Sequence, residues 1–311
     1  MGVTYRLMFA TDLHGSEVSF DKLVKQARKT SPDLLILGGD LFGNVIIAVE
    51  RRGRDYFLDG EKVDLEGVQG KSKESGFYLF VGTKDEVEEL KSNKSLYHKE
   101  LLRMAEERVF RWTDHISKEL DNRKVKVLWN LAHTDPLELD RALNSAGVEV
   151  MEERIVEFRG MNIASLGLAS GTEDGFRVAP DSNLYMKGKE LLERCERGRT
   201  LINFHMPPLN TRLDESKVGG KRTHVGSKAV VDLIREFSPF LGLHGHVHDS
   251  FGQQRLGETL VVNPGSAHHV GALNYALINV SLEISGRGAA ALSRFVAKDA
   301  KLFTDYWSET A

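Results

Sequence analysis

The sequence predicts an α/β fold built from parallel strands that are connected by helices. A short apolar stretch at residues 5–10 precedes apolar residues at helical spacing over 20–27, and the apolar run Leu34–Leu37 follows. A strand, a helix and a second strand in this order form a unit whose strands run parallel and end at one edge of a sheet. Ligands of such sheets bind just beyond that edge. Both strands end close to an aspartate, Asp12 or Asp40.

The alternation of strands and helices continues through the second half of the chain. We expect helices at 137–146, 187–197 and 227–237, the first of them ended by Gly147. Strands are expected at 125–131, 155–158, 162–166, 201–204, 240–243, 251–255, 259–262 and 275–284, with a final hairpin that turns at Gly286 and Gly288. No repeat, low-complexity run or linker interrupts this pattern, so we expect a single domain over residues 1–311.

Composition and charge are those of a globular domain. Of the 311 residues, 41% are hydrophobic and 28% are charged, and the net charge is −3. This charge lacks the basic footprint of a dedicated nucleic-acid-binding protein, although a catalytic cleft can still be locally positive. No stretch approaches the roughly 20 apolar residues of a membrane helix, and residues 1–10 lack the features of a signal peptide. Because Cys195 is the single cysteine, no intrachain disulfide can form, and a cytoplasmic location is expected.

Residues 43–124 are expected to form an inserted segment after the second strand. Asp59-Gly60 predicts a hairpin turn. Residues 66–76, which are rich in Gly, Lys and Ser, are expected to form a loop. Apolar residues then recur three or four positions apart from Tyr97 to Leu120, which predicts one long amphipathic helix. Two interpretations are open: an ordinary crossover helix packed on the sheet, or a cap over the functional site.

Histidine and aspartate side chains concentrate where the expected strands end. These residues are Asp12, His14, Asp40, His133, Asp135, His205, His246 and His248. Anionic oxygens and neutral imidazoles that converge from several strands are what a divalent metal ion requires. A mixed set of histidine and carboxylate ligands favours Mn, Fe, Zn or Co over Ca or Mg.

Each motif has an ordinary structural explanation when it stands alone. Asp12-Leu13-His14 could be a cap followed by a core histidine, and Gly39-Asp40 could be a simple turn. His246-Val247-His248, together with His244, could be a solvated histidine cluster, and His205 could be an isolated residue before Pro207-Pro208. The order and spacing of all four motifs together are far more specific, and they favour one metal site.

The four motifs resemble those of the calcineurin-like metallophosphoesterases. Asn263-Pro264-Gly265-Ser266 is similar to the segment that follows the last motif of that family. The resemblance extends over residues 1–278, excluding most of 43–124. It implies a four-layer α/β/β/α sandwich of two mixed sheets, into which a hairpin-plus-helix segment is inserted, with a two-metal site between the sheets.

The resemblance also implies which residues bind each ion. The implied assignment is Asp12, His14 and His248 for the first ion, His205 and His246 for the second, and Asp40 as the bridge. Two ions about 3.5–4 Å apart can stabilise both the attacking and the leaving oxygen of an in-line displacement. A water molecule shared by the ions loses its proton near neutral pH. Hydrolysis of a phosphate ester by this route needs no side-chain nucleophile.

The chain departs from the family pattern after the third core strand. The family has a motif similar to Gly-Asn-His-Asp there, whereas this chain has Ala132-His133-Thr134-Asp135. This register places His133 where an asparagine ligand of the second ion is expected. Imidazole binds Mn, Fe or Zn well, so the exchange is chemically permissible. Asn130, three residues earlier, is the alternative ligand.

The same departure affects proton transfer to the leaving group. Thr134 occupies the position of a histidine that protonates the leaving oxygen in some family members. Threonine cannot donate a proton usefully at pH 7, so this acid is missing unless His224 or another residue supplies it. Catalysis would then be limited to substrates with good leaving groups, or the metal preference would differ.

We therefore expect a hydrolase that acts on a small phosphate ester, either a monoester or a diester. Its cofactors would be two divalent ions, with Mn, Fe, Zn, Co and Ni as the candidates. Two alternatives are open: a metal-binding protein of the same fold that binds without catalysis, as in a retromer subunit that resembles these enzymes, and a nuclease. The absence of a basic run disfavours the nuclease.

Overall fold

The computed structural model describes residues 3–171, 175–285 and 292–306. Its strands are β1 Thr4–Ala10, β2 Leu34–Leu37, β3 Ile46–Arg52, β4 Asp55–Leu58, β5 Glu61–Val63, β6 Tyr78–Gly82, β7 Lys126–Trp129, β8 Arg154–Phe158, β9 Met161–Leu166, β10 Thr200–Phe204, β11 Glu215–Val218, β12 Lys221–His224, β13 Leu241–Leu243, β14 Gly252–Leu256, β15 Thr259–Asn263, β16 Leu273–Ser285 and β17 Leu292–Asp305. Its α-helices are α1 Glu17–Thr30, α2 Leu65–Ser75, α3 Lys84–Ser92, α4 Lys94–Glu119, α5 Leu139–Ser145, α6 Asp181–Glu193 and α7 Lys228–Phe237. The mixed α/β class that the sequence predicts is confirmed.

The first large sheet has the strand order β17-β16-β1-β2-β7. Its strands β1, β2 and β7 are parallel, as the strand–helix–strand pattern predicts, whereas β16 is antiparallel to both β1 and β17. The carboxyl ends of the three parallel strands therefore lie at one edge. The predicted turn between β16 and β17, at Gly286 and Gly288, lies outside the described residues.

The second large sheet has the order β14-β15-β13-β10-β9-β8. Strands β15, β13, β10 and β9 are parallel, and β14 and β8 are antiparallel strands at its two ends. The predicted hairpin between β8 and β9 is confirmed. The parallel strands of this second sheet also bring their carboxyl ends to one edge.

Three apolar clusters hold these elements together. Strand β1 alternates between two of them: Met8 belongs to a cluster with the helices α1, α4 and α5, and Leu7 to a cluster that contains strands of both large sheets. The third cluster joins the second large sheet to α6 and α7, for example through Phe204 and Leu233. None of the helices within the described ranges is long and apolar enough to cross a membrane.

The inserted segment contains a sheet of its own, with the order β5-β4-β3-β6. The hairpin predicted at Asp59-Gly60 is confirmed, since β4 and β5 pair across it. The long predicted helix is α4, and its apolar face packs in the same cluster as β1 and β2. Trp112 of this helix stacks on Phe20 of α1, with ring centroids 3.9 Å apart.

The prediction of a loop at 66–76 was wrong, because α2 occupies this stretch. Hydrogen bonds at both helix ends offset the weak helix propensity of its glycine and serine residues. The Asp64 side chain accepts a hydrogen bond from the Gly67 amide at 2.8 Å. Gly76 ends the helix in the left-handed conformation, with φ of 82°. Composition indicated a loop, whereas capping decided the structure.

Two further elements differ from the expectation. Helix α6 begins at Asp181 rather than at 187, because Pro180 precedes it with the fixed φ that favours a helix start. It ends at Glu193 rather than at 197. The antiparallel ribbon of β11 and β12 was not predicted, since its polar strands have no apolar alternation.

Three glycines allow the inserted segment to lie against the loop after β1. A Cβ atom added at Gly76 would lie 1.9 Å from the carbonyl oxygen of His14, and one at Gly43 would lie 2.3 Å from the carbonyl oxygen of Gly76. A Cβ atom at Gly15 would be 2.6 Å from the Gly43 nitrogen. Only glycine permits such close backbone approach. The start of the segment and the end of α2 therefore both lie beside His14.

Arg108 of α4 stabilises the contact between the inserted segment and the start of α1. Its side chain is only 5% exposed, and its Nη1 donates a hydrogen bond to the carbonyl oxygen of Gly76 at 2.7 Å. Its Nε donates to Glu17 Oε1 at 3.1 Å, and the guanidinium lies 4.0 Å from the centroid of the Tyr78 ring. One buried cation thus connects two parts of the inserted segment, α4 and the end of α2, to α1.

We predict that Arg108→Ala lowers the free energy of unfolding by about 2 kcal/mol, measured by urea denaturation. Loss of one partner of a fully buried ion pair costs about 3–5 kcal/mol, and the partly exposed Glu17 retains other partners. The matched control is Arg103→Ala on the same helix, where the side chain is 51% exposed. That change should cost less than about 1 kcal/mol. Equal effects of the two substitutions would contradict the role assigned to Arg108.

Candidate metal centre

The first large sheet supplies four of the candidate ligands from loops at the carboxyl ends of its parallel strands. Asp12 and His14 follow β1, Asp40 follows β2, and His133 follows β7. Because these strands are neighbours in the sheet, the loops that follow them converge. The placement that the sequence predicted for these residues, just after strand ends on one edge, is the one observed.

The second large sheet supplies the other three candidate ligands. His205 directly follows β10, and His246 and His248 follow β13. Backbone hydrogen bonds connect these loops, since the Gly245 amide donates to the carbonyl oxygen of His205 at 2.9 Å. Across the sheets, the His246 amide donates to both carboxylate oxygens of Asp12, at 3.1 and 3.2 Å. The site is therefore assembled from both sheets.

Asp40 lies at the centre of this assembly. Its side chain is fully buried, and its Oδ2 is 2.8 Å from His133 Nδ1 and 3.2 Å from His205 Nε2. His14 Nε2 approaches the same oxygen at 3.9 Å. The other oxygen, Oδ1, accepts a hydrogen bond from the Thr134 amide at 3.0 Å. The amide fixes one oxygen, and the other faces three imidazoles.

Asp12 occupies a similar position on the other side of the site. Its Oδ1 is 3.4 Å from His248 Nε2, 3.7 Å from His205 Nε2 and 3.9 Å from His14 Nε2. The Nε2 atoms of His14 and His248 are 3.0 Å apart. Imidazoles that face each other and a carboxylate at these distances are arranged for a shared cation.

The ligand atoms fall into three groups in which all atoms lie within 4.8 Å of one another. The groups are His14, His248 and His268; His133, His205 and His246; and Asp12, Asp40 and His205. The first and second groups are two separate sets of imidazoles, and the third lies between them. This arrangement fits two ion positions with carboxylates between them.

Unpartnered polar atoms provide a direct test of whether a metal fits here. In the part of the chain that the structure describes, Asp40 Oδ2, His133 Nδ1, His205 Nε2 and His246 Nδ1 are buried and make no hydrogen bond of good geometry, although the first three lie within 3.2 Å of a neighbour among them. An unsatisfied buried polar atom costs about 1–3 kcal/mol, and a bound ion is one of the explanations for such atoms. The residues present therefore fit divalent metal ions.

Both carboxylates are held in their ionised form. Burial would raise the pKa of Asp40, but the neighbouring His205 and His133 outweigh it and hold the pKa well below its usual value. Burial acts in the same direction on Asp12, and there His205 and His248 keep the pKa low. Ionised carboxylates are the form that binds a metal ion.

The imidazoles differ in charge. Burial lowers the pKa of His14 to about 4 and that of His246 to about 3, so both are neutral at pH 7. Burial also opposes the charge of His205, but Asp40 and Asp12 outweigh it and raise its pKa to about 9. Because a metal ligand must be deprotonated, binding of an ion at His205 releases this proton.

The backbone at the site is held in an uncommon conformation. Asp12, His14, Asp40 and His246 have φ values of 55°, 45°, 50° and 65°. A non-glycine residue in this left-handed region stores about 1–3 kcal/mol of strain and persists only where surrounding contacts enforce it. Here the Asp12 amide donates to the carbonyl oxygen of Gly39 and the His14 amide to that of Asp40, both at 2.9 Å. Such strain is typical of functional sites.

Asp135 supports the site rather than joining the ligand groups. Its carboxylate accepts hydrogen bonds from the amides of Leu41 at 3.0 Å, Phe42 at 2.8 Å and Ala132 at 2.8 Å. Burial, with the charge of Asp40, raises its pKa to about 7. Asp135 thus ties the loop after β2 to the loop after β7, and this sets the position of Asp40 relative to His133.

The surroundings of the two candidates for the unusual ligand, His133 and Asn130, differ. The ring of His133 lies 4.7 Å from the ring of His246 and 5.6 Å from that of His205. Asn130 is fully buried, and its side-chain amide has no hydrogen-bond partner in the described ranges. His133 therefore has the contacts that a ligand needs, and Asn130 stays the alternative.

Two other histidines differ in role. His244 is fully buried, and its Nδ1 donates to the carbonyl oxygens of Phe204 at 2.7 Å and Met206 at 3.0 Å, so it supports the loop of His205. His268, which sequence analysis missed, lies in a short 3-10 helix, His268–Val270, and its ring is 4.6 Å from that of His14. A signal was available: His268 follows Asn263-Pro264-Gly265-Ser266 by two positions.

Comparison with known proteins decides the family. The family model for metallophosphoesterases of the calcineurin superfamily matches residues 81–284, which is more than half of the chain. The chain belongs to this family. The match includes four of the candidate ligands, His133, His205, His246 and His248, whereas Asp12, His14 and Asp40 precede it.

The chain is also similar to individual proteins. The chain is 39% identical over 143 residues to the uncharacterized protein MJ1162 of Methanocaldococcus jannaschii, a match that covers 45% of this chain and 64% of that protein. The crystal structure of TT1561 of Thermus thermophilus superposes with a TM-score of 0.52 at 15% identity, over 88% of this chain and 94% of that one. Another crystal structure reaches a TM-score of 0.57 at 20% identity, over 89% and 95%. At these identities the two structures show a shared fold alone.

We predict that His133→Ala weakens binding of one of two metal ions by at least about tenfold, measured by calorimetric titration of the metal-free protein. Loss of even an outer-shell partner costs about 10–100-fold in affinity. His133→Asn should keep that ion bound and change which metal binds best, because an amide oxygen replaces imidazole. His115→Ala is the matched control, since that partly exposed histidine pairs with Asp21 and lies in none of the ligand groups. Unchanged affinity in His133→Ala would favour Asn130 as the ligand.

Proposed function

We propose that this protein hydrolyses a phosphate ester of a small substrate with the help of two divalent metal ions that share Asp40. The observation that carries the proposal is the environment of Asp40 Oδ2. This buried, ionised oxygen makes no hydrogen bond of good geometry within the described residues, and its nearest neighbours are imidazole nitrogens from both large sheets. A buried carboxylate needs a positive partner, which is either the protonated His205 or a metal ion, and the family of the chain acts on phosphate esters.

The proposed ligand sets follow the distances around the two carboxylates. The first ion would be held by Asp12, His14 and His248, the second by His133, His205 and His246, and Asp40 would bind both. The 3.0 Å between the Nε2 atoms of His14 and His248 supports the first set. The three mutual ring contacts of the other imidazoles support the second set. Nitrogen-rich sets of this kind favour Mn, Fe, Co, Ni or Zn over Mg.

When bound, such ions supply Lewis acidity toward phosphoryl oxygens and lower the pKa of a water molecule to near neutral. The chain itself supplies position and charge. Asp12 and Asp40 hold negative charge at low pKa, and the Thr134 amide fixes the orientation of the Asp40 carboxylate. His205 carries a proton that metal binding must release.

Thr134 and His224, the two positions considered for the leaving-group acid, have other contacts among the described residues. Thr134 contributes its backbone amide to Asp40, and its hydroxyl is buried. His224, the alternative donor, lies on β12, where its Nδ1 is 2.8 Å from Asp214 Oδ1. We therefore expect that esters with acidic leaving groups, which depart without protonation, are the best substrates.

The domain organisation is part of the same proposal. A single domain over residues 1–311 would arrange its two large sheets and their helices as four α/β/β/α layers, supported by the three apolar clusters. Residues 43–124 would restrict access to the site, supported by the contact of Gly43 and Gly76 with the loop of His14. A cytoplasmic location remains the expectation from the single cysteine.

The proposal predicts hydrolysis of aryl phosphate esters that requires added Mn, Fe, Co, Ni or Zn. Metal-free protein would be assayed with each ion on nitrophenyl and phenyl monoesters and diesters, and the nitrophenyl esters should react faster. Asp40→Asn should lower kcat/KM by about a thousandfold or more, because the shared charge stabilises the transition state by several kcal/mol. The control is Asp249→Asn, an exposed carboxylate next to His248, with activity near that of the unmodified chain.

Two results would contradict the proposal. Activity of Asp40→Asn near that of the unmodified chain would exclude a shared ligand. Metal binding without hydrolysis of any ester would favour the non-catalytic alternative. A single-stranded DNA substrate belongs in the same assay, since strongly salt-dependent cleavage of DNA in preference to the small esters would favour the nuclease.

A further inference from the structure

His268 lies at the same edge of the second sheet as the proposed ligands. Strand β15 is parallel to β13 and ends at Asn263, and His268 follows in the 3-10 helix His268–Val270. The side chain is partly buried. The chain thus brings one more imidazole from a neighbouring strand to the place where β13 brings His246 and His248.

The ring of His268 contacts both imidazoles of the first proposed ion position. Its centroid lies 4.6 Å from that of His14 and 5.4 Å from that of His248. One ring nitrogen of each of these three residues lies within 4.8 Å of those of the other two. Three imidazoles that crowd together in this way repel one another if charged, and they are stable together when a cation lies between them.

The hydrogen bonds of Ser266 fix which nitrogen of His268 is free. The Ser266 hydroxyl is 2.6 Å from the carbonyl oxygen of Asp12, which can only accept, so the hydroxyl proton is used there. The same hydroxyl is 3.0 Å from His268 Nδ1 and must therefore accept from it. His268 consequently carries its proton on Nδ1 and has a lone pair on Nε2. In a metal-binding histidine, one ring nitrogen binds the metal and the other donates its N–H to a neighbouring group.

Hydrogen bonds from α1 and α2 hold the loop that carries His268. The buried Lys22 donates a hydrogen bond from Nζ to the carbonyl oxygen of Gly271 at 2.6 Å. Ser75, the last residue of α2, donates to the carbonyl oxygen of His269 at 3.4 Å. Gly271 itself adopts a φ of 63°, which returns the chain toward β16. The imidazole is therefore held in place before any ligand binds.

We infer that His268 is an additional ligand of the first metal ion, through Nε2. This inference rests on the proposed two-metal function and extends it. The first ion would then have protein ligands Asp12, Asp40, His14, His248 and His268, and the second would have Asp40, His133, His205 and His246. The first ion would have fewer positions open to water or substrate than the second, so the two ions would have unequal roles.

The test is calorimetric titration of the metal-free full chain with Co²⁺, together with the visible absorption spectrum of the cobalt-loaded protein. His268→Ala should weaken one of two Co²⁺ binding steps by at least about tenfold and change the spectrum of that ion. His268→Leu, which fills a similar volume without a ligand atom, guards against a folding defect and should have the same effect. The matched control is His269→Ala, because that neighbouring side chain is exposed and should leave both steps unchanged.

The outcomes separate this inference from the proposal on which it rests. If the unmodified chain binds two Co²⁺ ions and both His268 variants bind them with unchanged affinity and spectrum, His268 is not a ligand, and the two-metal proposal stands. If the unmodified chain binds no pair of Co²⁺ ions, the proposed function itself fails. Restoration of the weakened step in His268→Ala by added imidazole would support direct ligation, and loss of affinity in His269→Ala of the same size would overturn it.

Discussion

The candidate site is organised around one buried carboxylate, Asp40, that faces several imidazoles. Asp40 is removed from water and yet ionised, because His205 and His133 outweigh the effect of burial on its pKa. A buried charge is costly unless it is paired. His205, whose pKa is raised to about 9 by Asp40 and Asp12, supplies that pairing in the absence of a metal. The ionised Asp12 and Asp40 therefore carry more negative charge than His205 alone balances, and a divalent ion can neutralise it more fully.

The fold maintains this arrangement at several levels. Parallel strands of two sheets end at the site, and left-handed residues turn their side chains inward. Asp135 connects the loops after β2 and β7 through backbone amides, and Arg108 connects the inserted segment to the neighbourhood of His14. The strain and the unpartnered atoms at the centre are tolerated because the surrounding apolar clusters and hydrogen bonds are extensive. Stability elsewhere thus permits a preformed, destabilised site.

Much of this could be predicted from the sequence, because the candidate ligands directly follow strand ends. The apolar runs before Asp12, Asp40 and His205 have the period and length of buried strands. Parallel pairing then brings Asp12 and Asp40 to one edge of the first large sheet, and His205 lies at the carboxyl edge of the second. The resemblance to the family is confirmed by the match over residues 81–284. Local sequence patterns were sufficient to predict these strands because the periodicity of apolar residues determines them.

The remaining features depend on contacts that no local pattern contains. His268 lies in a 3-10 helix and becomes relevant only because β15 is next to β13 in the sheet. Helix α2 depends on the caps at Asp64 and Gly76, which its composition concealed. The role of Asp135 follows from amides of Leu41 and Phe42, nearly a hundred positions away in the chain. Such features require the three-dimensional fold.

Anomalous diffraction from crystals grown with Mn²⁺ would show whether two ions share Asp40. We expect two anomalous peaks about 3.5–4 Å apart, with the Asp40 carboxylate between them. His14 and His248 should bind one ion, and His205 and His246 the other. A single peak, or two peaks of which only one contacts Asp40, would contradict the account.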